Sequence, residues 1–129
     1  MRFHLAIPIG DRFDKILPFY TDILGCELGP GEKGWQDIDF FGHELTLHIG
    51  EPNLVQERHD VDMGAVCVPH FGAWLDSDTY ESVKVRIQEK WKYFDQPYVR
   101  FEGQETEQET FFVQCPIGYV LEIKTQRHQ

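Results

Sequence analysis

The sequence predicts an α+β fold built from two related βαβββ modules, and three observations predict it. Apolar periodicity passes from strand-like to helix-like and back in the same order in both halves of the chain. A histidine falls at the corresponding place in the first strand of each half, His4 and His70. A glycine precedes the final strand of each half, Gly42 and Gly118. An order that recurs within one chain is a more specific signal than any single residue.

Residues 2–8 read as a strand, with Phe3, Leu5 and Ile7 on one face and His4 and Ala6 on the other. From Arg12 to Leu24 the apolar positions Phe13, Ile16, Leu17, Tyr20, Ile23 and Leu24 form a helical stripe. Asp11 is the expected N-cap and Gly25 the expected C′ residue; Pro18 should kink this helix or shorten its first turn. Residues 27–31 close a short strand into a turn. Residues 35–41 and 44–49 alternate as strands, joined by Gly42-His43.

Residues 50–67 show no clear periodicity and read as a connector. Then the order repeats. Residues 68–75 are a strand carrying His70, and Asp76-Ser77-Asp78 offer helix caps. Tyr80, Val83, Ile87 and Trp91 make a sparser helical stripe, with Asp78 and Glu81 as a capping box. Residues 98–101, 110–114 and 119–125 are three further strands; 102–108 is a polar connector and Pro116-Ile117-Gly118 a turn. The expected organisation is one domain, 1–129, with module one at 1–49, the connector at 50–67 and module two at 68–129. Leu47-His48-Ile49 and Leu121-Glu122-Ile123 occupy corresponding places in the two final strands.

The chain has 129 residues with 41% hydrophobic and 14% aromatic content, enough to bury a core. Its net charge of −10 provides no counterion-release term with nucleic acid and repels anionic membrane surfaces, so neither is an expected partner. No apolar run approaches the ~20 residues of a membrane span. The N-terminal stretch is too short and too polar for a secretory signal. Cys26, Cys67 and Cys115 are odd in number and lack CxxC spacing. They read as free thiols of a cytoplasmic protein.

Three stretches carry chemistry. His4, His70 and Glu122 each stand on the polar face of an apolar strand. Two imidazoles and one carboxylate are the side chains of a metal site with open coordination positions. A carboxylate among apolar strands needs a partner, because burying it unpaired is costly. The duplication supplies a way for the three to meet: two half-barrel modules about a pseudo-two-fold axis would bring paired strand positions into one cleft.

The segments Phe3-His4-Leu5-Ala6-Ile7-Pro8, 19–26 with its Phe-Tyr-x-x-x-Leu-Gly pattern, 39–45, Pro69-His70-Phe71-Gly72 and the Pro-x-Gly-x-x-Leu-Glu ending at 116–122 carry a resemblance that covers essentially the whole chain. On them the chain resembles the vicinal oxygen chelate superfamily: glyoxalase I, extradiol dioxygenases, methylmalonyl-CoA epimerase, and fosfomycin- and bleomycin-resistance proteins. The resemblance implies the glyoxalase/dioxygenase fold, in which paired βαβββ modules form an open, cup-like mixed sheet around a divalent metal. It implies His4, His70 and Glu122 as ligands to Fe2+, Zn2+, Mn2+, Ni2+ or Co2+. The final strand of module one often supplies a fourth ligand, and there the candidate is His48. Glyoxalase I usually has a glutamate in that place, so His48 departs from the pattern. Modules of this kind commonly pair in homodimers.

His48 stays open between a ligand, a donor behind the ligands and a solvent-facing strand residue. Arg100 could grip a substrate carboxylate as a bidentate fork, or form an ion pair within this acidic chain. Strand alternation places Gln108, Thr110 and Phe112 along the cleft, with Trp35. The expected function is a metal-dependent enzyme on a small oxygenated substrate: a dioxygenase with iron, or a glyoxalase-like lyase or isomerase with other metals. The alternative is a non-catalytic binder of the bleomycin-resistance type, stacking its ligand on Trp35, Phe112 and Tyr119. A sequestering cup has no need of the His4, His70 and Glu122 triad.

Overall fold

The computed structural model describes residues 1–54, 56–62 and 64–127, and the chain falls into two compact units, Met1–Asn53 and Leu54–Gln129. The first contains β1 (His4–Pro8), α1 (Phe13–Pro18), a π-helical turn (Phe19–Ile23), β2 (Glu27–Glu32), β3 (Trp35–Phe40) and β4 (His43–His48). Its sheet order is β1-β4-β3-β2, with β1 and β4 parallel. The second contains a hairpin, β5 (Glu57–Val61) and β6 (Gly64–Val68), then β7 (Phe71–Leu75), α2 (Ser77–Lys90), β8 (Asp95–Arg100), β9 (Gln108–Gln114) and β10 (Val120–Gln126). Its sheet order is β7-β10-β9-β8, again closed by a parallel pair, β7 and β10. The two units repeat one topology, so the α+β fold of duplicated βαβββ modules is correct.

The first helix differs from its periodicity in an instructive way. Pro18 has no N–H to give and its ring crowds the carbonyl four residues back. The α-helix therefore ends at Pro18 and the chain continues as a wider π turn, burying Phe19, Tyr20 and Ile23. Asp11 is not the cap. Gly10, at φ 77°, exchanges backbone hydrogen bonds with Gly50 and holds residues 9–11 extended, so Arg12 becomes the N-cap without a side-chain bond. At the other end Gly25 takes φ 80°, as a C′ residue should. In α2 the cap is Asp76, whose carboxylate accepts from the Thr79 N–H at 2.8 Å. Asp78 sits inside the first turn, so the Asp78–Glu81 capping box is not formed.

Each sheet has an apolar face and a polar one. In the second unit Phe111, Leu121 and Ile123 are fully buried beneath Tyr80, Val83 and Ile87 of α2, and the Tyr80 and Phe111 rings meet at 5.5 Å. The opposite face carries Gln108, Thr110 and Phe112 of β9 beside Glu122, Lys124 and Gln126 of β10. The first unit repeats the division: Ile38, Leu45 and Leu47 are buried, while His4, Glu44, Thr46 and His48 share the other side.

Residues 50–67 are not a bare connector, since they contain β5 and most of β6. Every residue of β5 is exposed, so no alternation of apolar residues could mark it. β6 is anchored instead by Val66 and Cys67, which pack against Phe112, Val120 and Tyr98 on the polar face of the main sheet. Backbone pairing of the hairpin and the Arg58 Nη1–Cys67 Sγ contact at 3.2 Å hold the strands together.

A half-buried ion pair ties α2 to its sheet. Glu109 accepts from the Tyr80 hydroxyl at 2.6 Å and from Lys84 Nζ at 2.8 Å. Burial pushes its carboxyl up, but the bonds from Lys84 and Tyr80 outweigh burial and leave it below the ordinary value. A carboxylate with a depressed folded-state value stabilises the fold above its unfolded value, and that contribution disappears as pH falls through the folded one. Glu109→Gln is therefore expected to cost roughly 1–2 kcal/mol at neutral pH. The cost should begin to shrink as pH falls below the ordinary carboxylate value, where the unfolded chain takes up its proton before the folded carboxylate does. Urea unfolding of both proteins at pH 7 and pH 3.5 checks this. An equal difference at both values would contradict it.

Candidate metal centre

His70 and Glu122 meet on the polar face of the second unit. His70 lies immediately before β7, after a cis Val68–Pro69 bond, not inside the strand. Glu122 of β10 is in register with Gly72, so a residue two positions ahead of Gly72 is its diagonal neighbour. His70 Nε2 stands 3.2 Å from Glu122 Oε1. The Phe112 ring, almost wholly buried, meets the imidazole edge-on at 5.1 Å.

Hydrogen-bond chemistry determines what this pair can hold. His70 Nδ1 is 2.5 Å from the Cys67 carbonyl oxygen. A carbonyl only accepts, so Nδ1 carries the hydrogen. Neutral imidazole then presents a bare lone pair at Nε2, directly facing a carboxylate oxygen that also only accepts. A proton or a cation must lie between them. The Glu122 bond accordingly raises the imidazole above its ordinary value; burial opposes this and the Cys67 carbonyl adds to it. Burial pushes the Glu122 carboxyl up, but bonds from His70 and Thr110 hold it below its ordinary value.

The same two atoms suit a metal ion. Two ligand atoms each about 2.0–2.2 Å from one ion lie about 3–3.5 Å apart, which matches the 3.2 Å between Nε2 and Oε1. Ligating histidines characteristically give their other ring N–H to a carbonyl or carboxylate. His70 does so through Cys67. In the first unit His4 does so through Glu44, its register partner on β4, with Nδ1 2.8 Å from Oε1. Its Nε2 is left without that engagement on a side chain that is 56% exposed. Among the described residues no group of three or more His, Cys, Asp or Glu is arranged to hold an ion; the second unit contributes the two donors His70 and Glu122. The residues present in the second unit thus fit two positions of a 2-His-1-carboxylate set.

The far oxygen of Glu122 is also fixed. Thr110 Oγ1, on a fully buried residue, donates to Glu122 Oε2 at 2.7 Å. This bond turns Oε1 toward His70. Losing it should free the carboxylate to rotate, so Thr110→Val is expected to weaken Zn2+ binding about 10–100-fold. Thr110→Ser should recover most of the loss, because it restores the hydroxyl. Calorimetric titration of the two variants checks this, and equal affinities for Val and Ser would contradict it.

Other expected site residues fare differently. Arg100 is engaged: its guanidinium grips Asp62, beside the β5–β6 turn, with Nε 3.1 Å from Oδ2. The ion pair, one of its two readings, is the one observed. Gln108 is buried, and its Oε1 has no hydrogen-bond partner. Trp35 pairs with His48 across β3 and β4. His48 is exposed, opposite Pro8 on β1. Counting from the turn glycines, Gly42 and Gly118, the residue at Glu122's place in the first unit is Thr46, and His48 matches Lys124. Matching His48 to Glu122 by sequence is therefore off by two residues. A two-residue slip keeps every side chain on its face, so alternation could not detect it.

Glu44, Thr110 and Lys124 are the contributors that sequence reasoning undervalued. Each lies on the polar face by simple alternation. Only the strand registers show which candidate site residue each one touches.

No protein-family model matches the sequence, and no curated protein is similar to it at a significant level. Solved structures are similar over nearly the full chain. A glyoxalase/bleomycin resistance protein/dioxygenase from Alicyclobacillus acidocaldarius is 31% identical, covering 98% of this chain and 92% of that one, with a TM-score of 0.73. The fosfomycin resistance protein FosX from Listeria monocytogenes is 16% identical over 97% and 90%, with a TM-score of 0.63. The oxidase ChaP-H2 is 20% identical over 99% and 94%, with a TM-score of 0.61. The last two share the fold.

Proposed function

Because the chain belongs to the glyoxalase/bleomycin resistance/dioxygenase family of the vicinal oxygen chelate superfamily, we propose that it is a metal-dependent enzyme acting on a small substrate with two neighbouring oxygens. The observation that carries this reading is the anchoring of His70: Nδ1 tied to a carbonyl and Nε2 aimed at Glu122 Oε1, at a spacing that suits one ion in place of the shared proton. A bound divalent ion would supply Lewis-acid stabilisation of negative charge on the substrate oxygens or, as iron(II), access to oxygen chemistry.

The residues divide the remaining work. His70 is the imidazole donor, held by its Nδ1 hydrogen on the Cys67 carbonyl so that Nε2 faces Glu122. Glu122 is the carboxylate donor, and Thr110 holds its second oxygen. Phe112 and the Cys67 backbone wall one side of the imidazole and exclude water from it. Second partners of this kind set ligand basicity and orientation.

Thermal unfolding with and without metal tests the proposal. Zn2+, Mn2+ or Fe2+ at about 100 times its dissociation constant should stabilise the protein by about 2.7 kcal/mol, reversed by chelator. Indifference to both metal and chelator would overturn the enzyme reading in favour of a metal-free sequestering protein.

A further inference from the structure

We propose that Lys124 is the residue that selects anionic substrates, and that Trp74 positions it. The inference rests on the reading above that substrate enters beside His70 and Glu122. A shallow cleft of about 250 Å³ opens there between β7 and β10, bordered by His70, Gly72, Trp74, Glu122 and Lys124. Among the described residues that border the cleft, Lys124 alone is a lysine or arginine. Its Nζ lies 5.0 Å from the centre of the Trp74 ring and 3.9 Å from Glu122 Oε1. The register of Lys124 with Trp74 across β10 and β7 places both on the polar face.

Two features mark this pair as more than a surface contact. Trp74 is 54% exposed, a large indole at the mouth of a polar cleft. The ring face holds the ammonium by cation–π attraction without consuming its hydrogen-bond donors. The 3.9 Å approach to Glu122 is long for a charge-assisted bond, so Lys124 is only loosely committed. Arg100, the other cation on this face, is committed to Asp62 through both arms of its fork.

Chemistry then specifies the ligand class. A chain with net charge −10 repels anions at long range. An anionic substrate therefore needs a local cation at the site. Once Glu122 is engaged by a metal ion, its charge is shared and Lys124 has no competing carboxylate. The ammonium then sits where a carboxylate or another oxyanion, adjoining the two chelating oxygens, would accept its hydrogens. Trp74 offers that substrate a flat apolar wall.

Benzoate and benzamide, equal in shape and different in charge, are the probes. Their binding to the full chain is measured by NMR line-shape titration, with and without Zn2+, for wild type, Lys124→Met, Trp74→Leu and Trp74→Phe. Wild type should prefer benzoate over benzamide by about tenfold, the scale of one charge-assisted bond. Lys124→Met should abolish that preference. Trp74→Leu should reduce it several-fold, and Trp74→Phe should retain most of it, because a ring face remains. A preference unchanged in Lys124→Met, or no benzoate binding by wild type, would overturn the proposal. Zn2+ uptake by the same variants is scored separately, so loss of metal binding in wild type would count against the metal-centre reading and not against anion selection. Folding of each variant is confirmed by its melting temperature.

Discussion

Replacing Glu122 by glutamine is expected to lower Zn2+ affinity more than about 100-fold, beyond the usual effect of a residue that merely supports a ligand. The substitution keeps length and shape and removes the charge. The Thr110 hydroxyl can still reach an amide oxygen in place of Oε2, so the side chain stays anchored. What is lost is the anionic oxygen 3.2 Å from His70 Nε2. His70→Ala should fall in the same range, since it removes the other donor. The two losses should not add in the double variant, because either one alone leaves the second donor without its partner. Titration calorimetry of the three variants checks this. Zn2+ affinity within tenfold of wild type for Glu122→Gln would place the ion elsewhere.

Gly72→Ala is expected to be the most damaging single methyl group in the second unit. A Cβ at Gly72 would lie 1.7 Å from the Glu122 carbonyl oxygen and 2.8 Å from its backbone nitrogen. These are backbone atoms of β10, so no side chain can swing aside. β7 would have to separate from β10 where the two strands carry His70 and Glu122. Overpacking that cannot relax costs about 3 kcal/mol. For a chain of this size that is roughly a 10 °C fall in melting temperature. Metal affinity should fall with it, because the His70–Glu122 spacing depends on this close approach. By contrast a methyl added at Gly34 would meet nothing within 4 Å, although the φ of 97° there disfavours alanine. Gly34→Ala should therefore leave Zn2+ binding intact and cost about 1 kcal/mol from backbone strain alone. Calorimetric melting of both variants separates the two causes. A Gly72→Ala protein that melts like wild type and binds Zn2+ normally would contradict the steric account.

The duplicated topology was legible because each strand and helix has a strong apolar period and the punctuation recurs. Gly25, Gly42 and Gly118 all take the left-handed φ their places require. The polar-face placement of His4 and Glu122 was legible for the same reason, whereas His70, expected inside a strand, lies just before β7. Three things were not. The β5–β6 hairpin is exposed along all of β5 and is held by main-chain pairing, which leaves no side-chain pattern. The correspondence of Glu122 with Thr46 depends on strand register, to which alternation is blind at steps of two. The partners of the candidate residues follow from backbone placement that alternation does not give: Glu44 for His4, the Cys67 carbonyl for His70, Thr110 for Glu122. Arg100 shows the limit of reading a cation alone, because its carboxylate lies 38 residues away in the stretch that looked like a connector.

X-ray absorption at the zinc edge of the reconstituted protein tests most directly whether an imidazole and a carboxylate bind a common ion. The expected result is one zinc per chain with a first shell of nitrogen and oxygen at about 2.0–2.2 Å, and multiple scattering from imidazole that falls in His70→Ala. A zinc-free protein after reconstitution, a sulfur-containing shell, or imidazole scattering that persists unchanged in His70→Ala would contradict it.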